Sequence, residues 1–315
     1  MIDLLVNFGG PRHLDEIAPF LTALLTDRDV IRTRFPGFFQ TWLFAQIAKK
    51  RAVKIRGDYE KIGGKSPIYF DTEIVAEKLG AMTFHRYLPA THKQSLQQIE
   101  ACPLPLIRVL PLFPQFSYVT TGSIARFFRK NLSPRTLNKL RWIHSYAAHP
   151  AFIASYQRRI RNFLQQRQIQ EEECILLFSA HGIPRSFIES GDIYESECRH
   201  SFEAVREAFP KATCRLSYQS KFGRGEWIRP YTDESCEAVL SWGEGRRQIV
   251  IVPISFTSDH IETLFEIEEL YLPILRNKGL AAHRCPALNL ETDWIAALRE
   301  IAATSPLSAT QMLIR

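Results

Sequence analysis

Short, mainly apolar runs punctuate the chain at residues 4–8, 106–112, 175–178, 215–218 and 249–256. A strand covered on both faces needs apolar side chains on both, so continuous rather than alternating runs predict parallel sheets. Between them, apolar positions return at helical period over residues 15–25, 124–132, 151–166, 198–208, 262–275 and 293–302. This alternation predicts an α/β protein of two doubly wound, Rossmann-like domains. The polar stretch at residues 120–149, where Asn131-Leu132-Ser133-Pro134-Arg135 ends a helix, marks their junction. The expected division is 1–120 and 121–287, with a terminal helix in 288–315 crossing back onto the first domain.

A length of 315 residues exceeds what one hydrophobic core commonly serves, in keeping with two domains. With 45% hydrophobic and 23% charged residues, the chain has the balance of an ordinary globular protein. The net charge of +7 favours acidic partners without choosing among them, and there is no run of five like charges or zinc-finger spacing to suggest nucleic acid. Six cysteines at 102, 174, 198, 214, 236 and 285 include no pair two residues apart, which predicts reduced thiols in a cytosolic protein rather than a zinc or disulfide framework. The chain opens directly on the run Ile2-Asp3-Leu4-Leu5-Val6, with no leader pattern and no apolar stretch near the ~20 residues of a spanning helix.

Two segments place ionisable groups just past apolar runs, where open α/β sheets gather their ligands. In the first, His181 follows Ile175-Leu176-Leu177-Phe178-Ser179-Ala180 and precedes Gly182 and Pro184, so neither strand nor helix continues simply. Its near-neutral pKa suits a proton acceptor, although a histidine there can equally be a hydrogen-bonded structural residue. In the second, Asp259, His260 and Glu262 follow residues 248–256, and Asp259 with Glu262 three positions on has the spacing of a capping box. Capping leaves Glu266 and Glu269 unexplained. With Glu262 they recur at i, i+4 and i+7, one face of an α-helix, and form either a solvated stripe or a track for cations and protons.

Other segments carry weaker signals. The turn 61–67 around Gly63-Gly64 lacks any nucleotide-binding spacing, and Phe113, Phe116 and Tyr118 suit a flat apolar ligand as well as they suit a core. The aromatic stretch 35–44, followed by Lys49-Lys50-Arg51, fits a greasy pocket mouth or peripheral contact with a membrane surface.

Taken together, the segments LLVNFGGP (4–11), YEKIGGKSPI (59–68), LPLFPQFSYVTTGS (110–123), FSAHGIP (178–184), LSYQSKFGRGEW (216–227), RPYTDE (229–234) and FTSDHIETL (256–264) resemble the ferrochelatases, in family order across nearly the whole chain. The resemblance implies a class II chelatase fold with a porphyrin cleft between two similar domains. It implies insertion of Fe2+ into protoporphyrin IX with release of two protons, the last step of haem biosynthesis. His181 and Glu262 match the family's essential pair, for catalysis and for metal. Asp259, His260, Glu266 and Glu269 fall on an implied metal and proton path. Phe8, Tyr59, Ser66, Phe113, Ser117, Gln219 and Trp227 match porphyrin-lining positions, and Lys50 and Arg51 match a basic pair at the mouth.

The chain departs from relatives at Phe8, where others carry a tyrosine or methionine able to approach the metal, and at Tyr118, where some carry cysteine. Phenylalanine cannot ligate iron. Some members also hold an iron-sulfur cluster in a cysteine-bearing extension; with Cys285 the last cysteine, no cluster and no tightly bound cofactor is expected, and iron enters as substrate. The expected state is a cytoplasmic monomer, peripheral to the inner membrane at most. Alternatives are a chelatase acting on coproporphyrin or inserting another metal, and, from a different class, a non-catalytic tetrapyrrole or metal carrier.

Overall fold

The computed structural model describes residues 1–223, 225–304 and 306–312. The chain divides into two units, Met1–Ser145 with Ala302–Arg315, and Tyr146–Ile301.

The first unit is built on the strand order β2-β1-β3-β4-β9. Strands β1 (Ile2–Asn7), β2 (Met82–His85), β3 (Ile107–Pro111) and β4 (Leu140–Trp142) run parallel, and β9 (Leu307–Ser308) adds antiparallel to β4. Helices α1 (Ile17–Leu25), α2 (Gly37–Lys61), α3 (Pro67–Leu79), α4 (Pro89–Ala101) and α5 (Thr121–Asn131) connect them. Prolines in the first turn of α3 and α4 cost no helical hydrogen bond there, and α3 stops at Gly80 in the left-handed conformation. Leu4, Val6 and Val109 from the sheet pack with Ile124, Ala125 and Phe128 of α5 and with Trp142 of β4 in one core.

The domain boundary therefore falls later than the expected position near Thr120. Residues 121–145 supply a helix and a strand that this core and sheet require, and the threonine signal at 120–121 is a helix start. The expected return of a terminal helix is also modified. The helix Thr292–Ala302 stays with the second unit up to Ile301, and what returns to the first is β9, with Met312 entering its core. Residues 313–315, the end of the expected third segment, and Arg224 of the LSYQSKFGRGEW segment lie outside the described residues.

The second unit repeats the plan. Strands β5 (Cys174–His181), β6 (Thr213–Gln219), β7 (Gln248–Pro253) and β8 (Ala281–Arg284) are all parallel, in the order β6-β5-β7-β8. Second, first, third, fourth is the order in both units. Each sheet therefore reverses its winding direction beside its first strand, and the carboxyl ends of its first and third strands frame a ligand-binding crevice. Strand β5 is buried along its whole length until His181, the one position whose side chain reaches solvent.

Gly10, just past β1, lies against the turn that starts α3. A methyl group there would approach Ser66 Cβ to 2.6 Å and Ile68 Cγ2 to 2.8 Å. Gly10→Ala is expected to lower stability by about 1–3 kcal/mol through overpacking, and adding Ser66→Gly to recover part of it. Thermal unfolding of the single and double variants checks this; unchanged stability in Gly10→Ala would refute the close packing.

Candidate active site

The site grows from the ends of β5, β6 and β7. Parallel register sets His181 beside Gln219 and Ser179 beside Ser217, so two polar pairs sit at the end of an otherwise apolar sheet. The His181 backbone N–H donates to Ser255 Oγ at 2.9 Å, which ties the end of β5 to the loop after β7. Gly182 is required next: a Cβ there would meet the Gln219 carbonyl at 3.0 Å and the Trp227 ring at 3.2 Å.

Beyond the loop, residues Glu262–Tyr271 form a π-helix, continued by an α-helix at Leu272–Asn277. The Leu272 N–H bonds to the Ile267 carbonyl five residues back. Such turns hold more residues than the 3.6 of an α-helix and recur at functional sites. Thr263, Ile267 and Tyr271 are the buried residues of this segment.

The Glu262 carboxylate is the centre of the site. Its Oε2 lies 3.5 Å from His181 Nε2 and 3.4 Å from His260 Nε2. The other ring nitrogens face backbone carbonyls, His181 Nδ1 that of Gly182 at 2.5 Å and His260 Nδ1 that of Ser258 at 3.3 Å. Each histidine thus presents Nε2 to the same oxygen. The Phe256 ring lies 4.7 Å from that of His260 and 6.3 Å from that of His181, packing beside both.

These contacts set the charges. Burial disfavours a charged His181, but the charge and hydrogen bond of Glu262, with Glu266 and the Gly182 carbonyl, outweigh it and raise its pKa to about 9. Burial likewise opposes ionisation of Glu262, yet His181 and His260 hold its carboxyl well below the usual carboxylate range. Glu266, one π-turn on, is raised to about 7 by burial and by the charge of Glu262, against a hydrogen bond from Ser220. That bond, Ser220 Oγ to Glu266 Oε2 at 2.6 Å, comes from a residue in the left-handed backbone conformation.

His181, His260, Glu262 and Glu266 thus form one cluster of the kind the sequence suggested, with Nε2 atoms and carboxylate oxygens suited to ferrous iron. Among the described residues no three His, Cys, Asp or Glu side chains close into a metal cage.

Other expected residues are placed differently. Glu269 is exposed, because on the wider turn a position seven residues on no longer faces Glu262. Asp259 is buried, and both of its oxygens are engaged by Thr263, Arg284, Asn289 and the Ala287 N–H; it anchors the loop rather than joining the cluster. The expected capping box is not formed by Glu262, since the Thr263 hydroxyl accepts from the His260 N–H and donates to Asp259. Gln219 is buried, its amide accepting from Ser179 Oγ and donating to the Glu262 carbonyl, both at 2.7 Å, so it holds the start of the π-helix. Trp227 is buried against Gly182 and Phe222.

In the first unit, Phe8 and Phe113 follow β1 and β3, the positions equivalent to those that carry the cluster in the second. Their rings meet edge to face at 6.4 Å, and Phe8 also packs on Tyr87 at 4.5 Å. Tyr59, Ser66 and Ser117 are buried, whereas Lys50 and Arg51 are exposed on α2. Ser179, Ser220, Ser255 and Phe256 were not singled out by the sequence; hydroxyls inside the apolar runs of β5 and β6 were the available signal.

The chain has relatives among known proteins. The ferrochelatase family model matches residues 4–305. The ferrochelatase of Chlamydia caviae is 44% identical over 99% of this chain and 98% of its own. Those of Chlamydia felis and Chlamydia trachomatis serovar A are 45% and 43% identical, over 99% and 96% of this chain and 98% and 95% of theirs. Among solved structures, CbiX, described as the terminal enzyme for sirohaem biosynthesis in denitrifying bacteria, aligns with a TM-score of 0.53 at 14% identity, covering 97% of this chain and all of its own. A multi-domain Deinococcus radiodurans protein described as structurally similar to chelatases aligns with a TM-score of 0.52, also at 14% identity, over 96% of this chain and 55% of its own. At these identities the two structures show a shared fold. Matched from end to end by the family model and by relatives above 40% identity, the chain belongs to the ferrochelatase family.

Proposed function

We propose that this chain, a chelatase that inserts iron into a porphyrin, acts on protoporphyrin IX and uses His181 as the acceptor of pyrrole protons, with Glu262 and Glu266 as the route by which protons leave. The observation that carries the reading is the single Glu262 oxygen facing Nε2 of both His181 and His260. In the resting site that oxygen and His181 hold one proton as an ion pair. An arriving dication takes the place of that proton's charge, so the proton passes to Glu266, whose pKa of about 7 lets it accept and release near neutrality. His181, now neutral, takes the two pyrrole protons in turn as the metal enters, the first passing on to Glu266 and out to solvent before the second arrives. Two protons leave for each Fe2+ inserted, iron keeps its oxidation state, and no resident cofactor is needed.

Burial pushes the thiols of Cys174, Cys236 and Cys285 up to about 12, which disfavours them as thiolate ligands and accords with a reading without an iron-sulfur cluster. Phe8 and Phe113 offer apolar rings to a flat macrocycle. Protoporphyrin, with two propionates, asks for fewer cations than a substrate with four carboxylates, and the pair Lys50 and Arg51 is enough for it. Phe38, 81% exposed, and Trp42, 60% exposed, stand on α2 ahead of the same cations and fit peripheral membrane contact of a cytoplasmic monomer. Among the described residues no helix is long and apolar enough to cross a membrane.

Anaerobic turnover with Fe2+, read as loss of free-porphyrin fluorescence, tests the assignment. Repeated turnover on protoporphyrin IX in preference to coproporphyrin III is expected, reduced at least a hundredfold in His181→Ala and in Glu262→Ala. Preference for coproporphyrin would overturn the substrate, and stoichiometric binding without turnover would leave a carrier.

The charge argument has its own test. By NMR the His181 ring should titrate near 9, and in Glu262→Gln its midpoint should fall toward the ordinary 6.5, because the raising charge is gone. His181's folded-state value is the higher one and Glu262's the lower, so this pair stabilises the fold fully between pH 4.5 and 6.5, loses its contribution as pH rises to about 9, and loses it again as pH falls below 4.5. An unshifted midpoint in Glu262→Gln would exclude the ion pair.

A further inference from the structure

The π-helix needs something to hold it. Turns of this width are rare because the narrower α-turn is the ordinary state of the backbone, and over the same ten residues an α-helix would be longer and would rotate each side chain further. Glu266 would still share a face with Glu262, as i and i+4 do on an α-helix, but would lie to the other side of it.

Arg284, at the carboxyl end of β8, touches both sides of that segment. Its Nη1 donates to Asp259 Oδ1 at 2.8 Å, ahead of the helix, and its Nε to Glu268 Oε1 at 3.1 Å, within it. The Asp259 end is fixed in turn: Asn289 donates to Oδ2 at 2.8 Å and accepts from the Asp259 N–H at 2.7 Å, and the Ala287 N–H adds a third bond. Arg284 itself is only 12% exposed, and its guanidinium is a rigid planar fork with donors on separate edges. The distance and rotation between Asp259 and Glu268 are therefore set from outside the helix, by a strand end and a loop.

We propose that Arg284 is a positioning residue for metal insertion: by bridging Asp259 and Glu268 it holds residues 262–271 in the π form and so fixes the side of Glu262 on which Glu266 lies. Arg284 touches neither substrate nor reacting atoms; it acts through the helix. The inference rests on reading His181 and Glu262 as the reacting pair.

The test compares Arg284→Lys, which keeps the charge on a point too small to bridge both carboxylates, and Glu268→Gln, which weakens only the helix end. Arg159→Ala serves as control, since Arg159 pairs with Glu291 and the Pro286 carbonyl elsewhere in the same unit. Amide hydrogen exchange of the 262–271 peptide, in protein free of iron and porphyrin, is read beside kcat and KM for porphyrin. Both bridge variants should speed exchange in that peptide and lower kcat about tenfold or more, with KM little changed, whereas Arg159→Ala lowers thermal stability alone. Wild-type exchange in Arg284→Lys, or equal effects in Arg159→Ala, would overturn the proposal. The exchange readout does not depend on catalysis, so retained turnover in His181→Ala would sink the reading of the reacting pair and leave the bridge standing or falling by itself.

Discussion

A carboxylate largely removed from water stays ionised only if cations or donors meet it, and the architecture around Glu262 answers that requirement. Two imidazoles reach one oxygen from different elements, His181 from the end of β5 and His260 from the loop after β7. Each ring is oriented by a backbone carbonyl on its far side. The second carboxylate, Glu266, lies close enough to feel the charge of the first, and the two are driven apart in proton affinity: one stays ionised while the other titrates near neutrality. A proton shared by such a pair resides on Glu266 and leaves Glu262 ionised.

The sheet order explains why the cluster sits where it does. In both units the first strand lies between the second and the third, so the chain leaves β1 and β3, or β5 and β7, toward opposite faces. The gap this creates receives Phe8 and Phe113 in one unit and His181 with the Ser255–Glu262 loop in the other. One plan thus serves two chemistries, apolar in the first unit and titratable in the second, and the difference lies in a few residues at strand ends.

Much of this was legible in the chain. The strands β1, β3, β5, β6 and β7 announced themselves as mainly apolar runs, and the strand-end rule pointed to His181 and Glu262 before any geometry was known. The short strands β2, β4, β8 and β9 escaped, because Met82–His85 or Ala281–Arg284 carries too few apolar residues to stand out from its surroundings. Helix α2 was hidden for a different reason: its 25 residues mix exposed aromatics with cations, and few of them are buried. The roles of Gln219, Asp259 and Arg284 depend on pairings between residues distant in sequence, which no local pattern records.

The misplaced expectation for Glu269 is the most instructive. Spacing of i, i+4 and i+7 marks one face only if the backbone is an α-helix, and here it is a π-helix. On such a segment Glu266 keeps company with Glu262, while Glu269 turns outward and Glu268 swings to meet Arg284. The width of one helical turn therefore decides that Glu266 and not Glu269 shares a face with Glu262, and the same width places Glu268 where a guanidinium from a neighbouring strand can hold it.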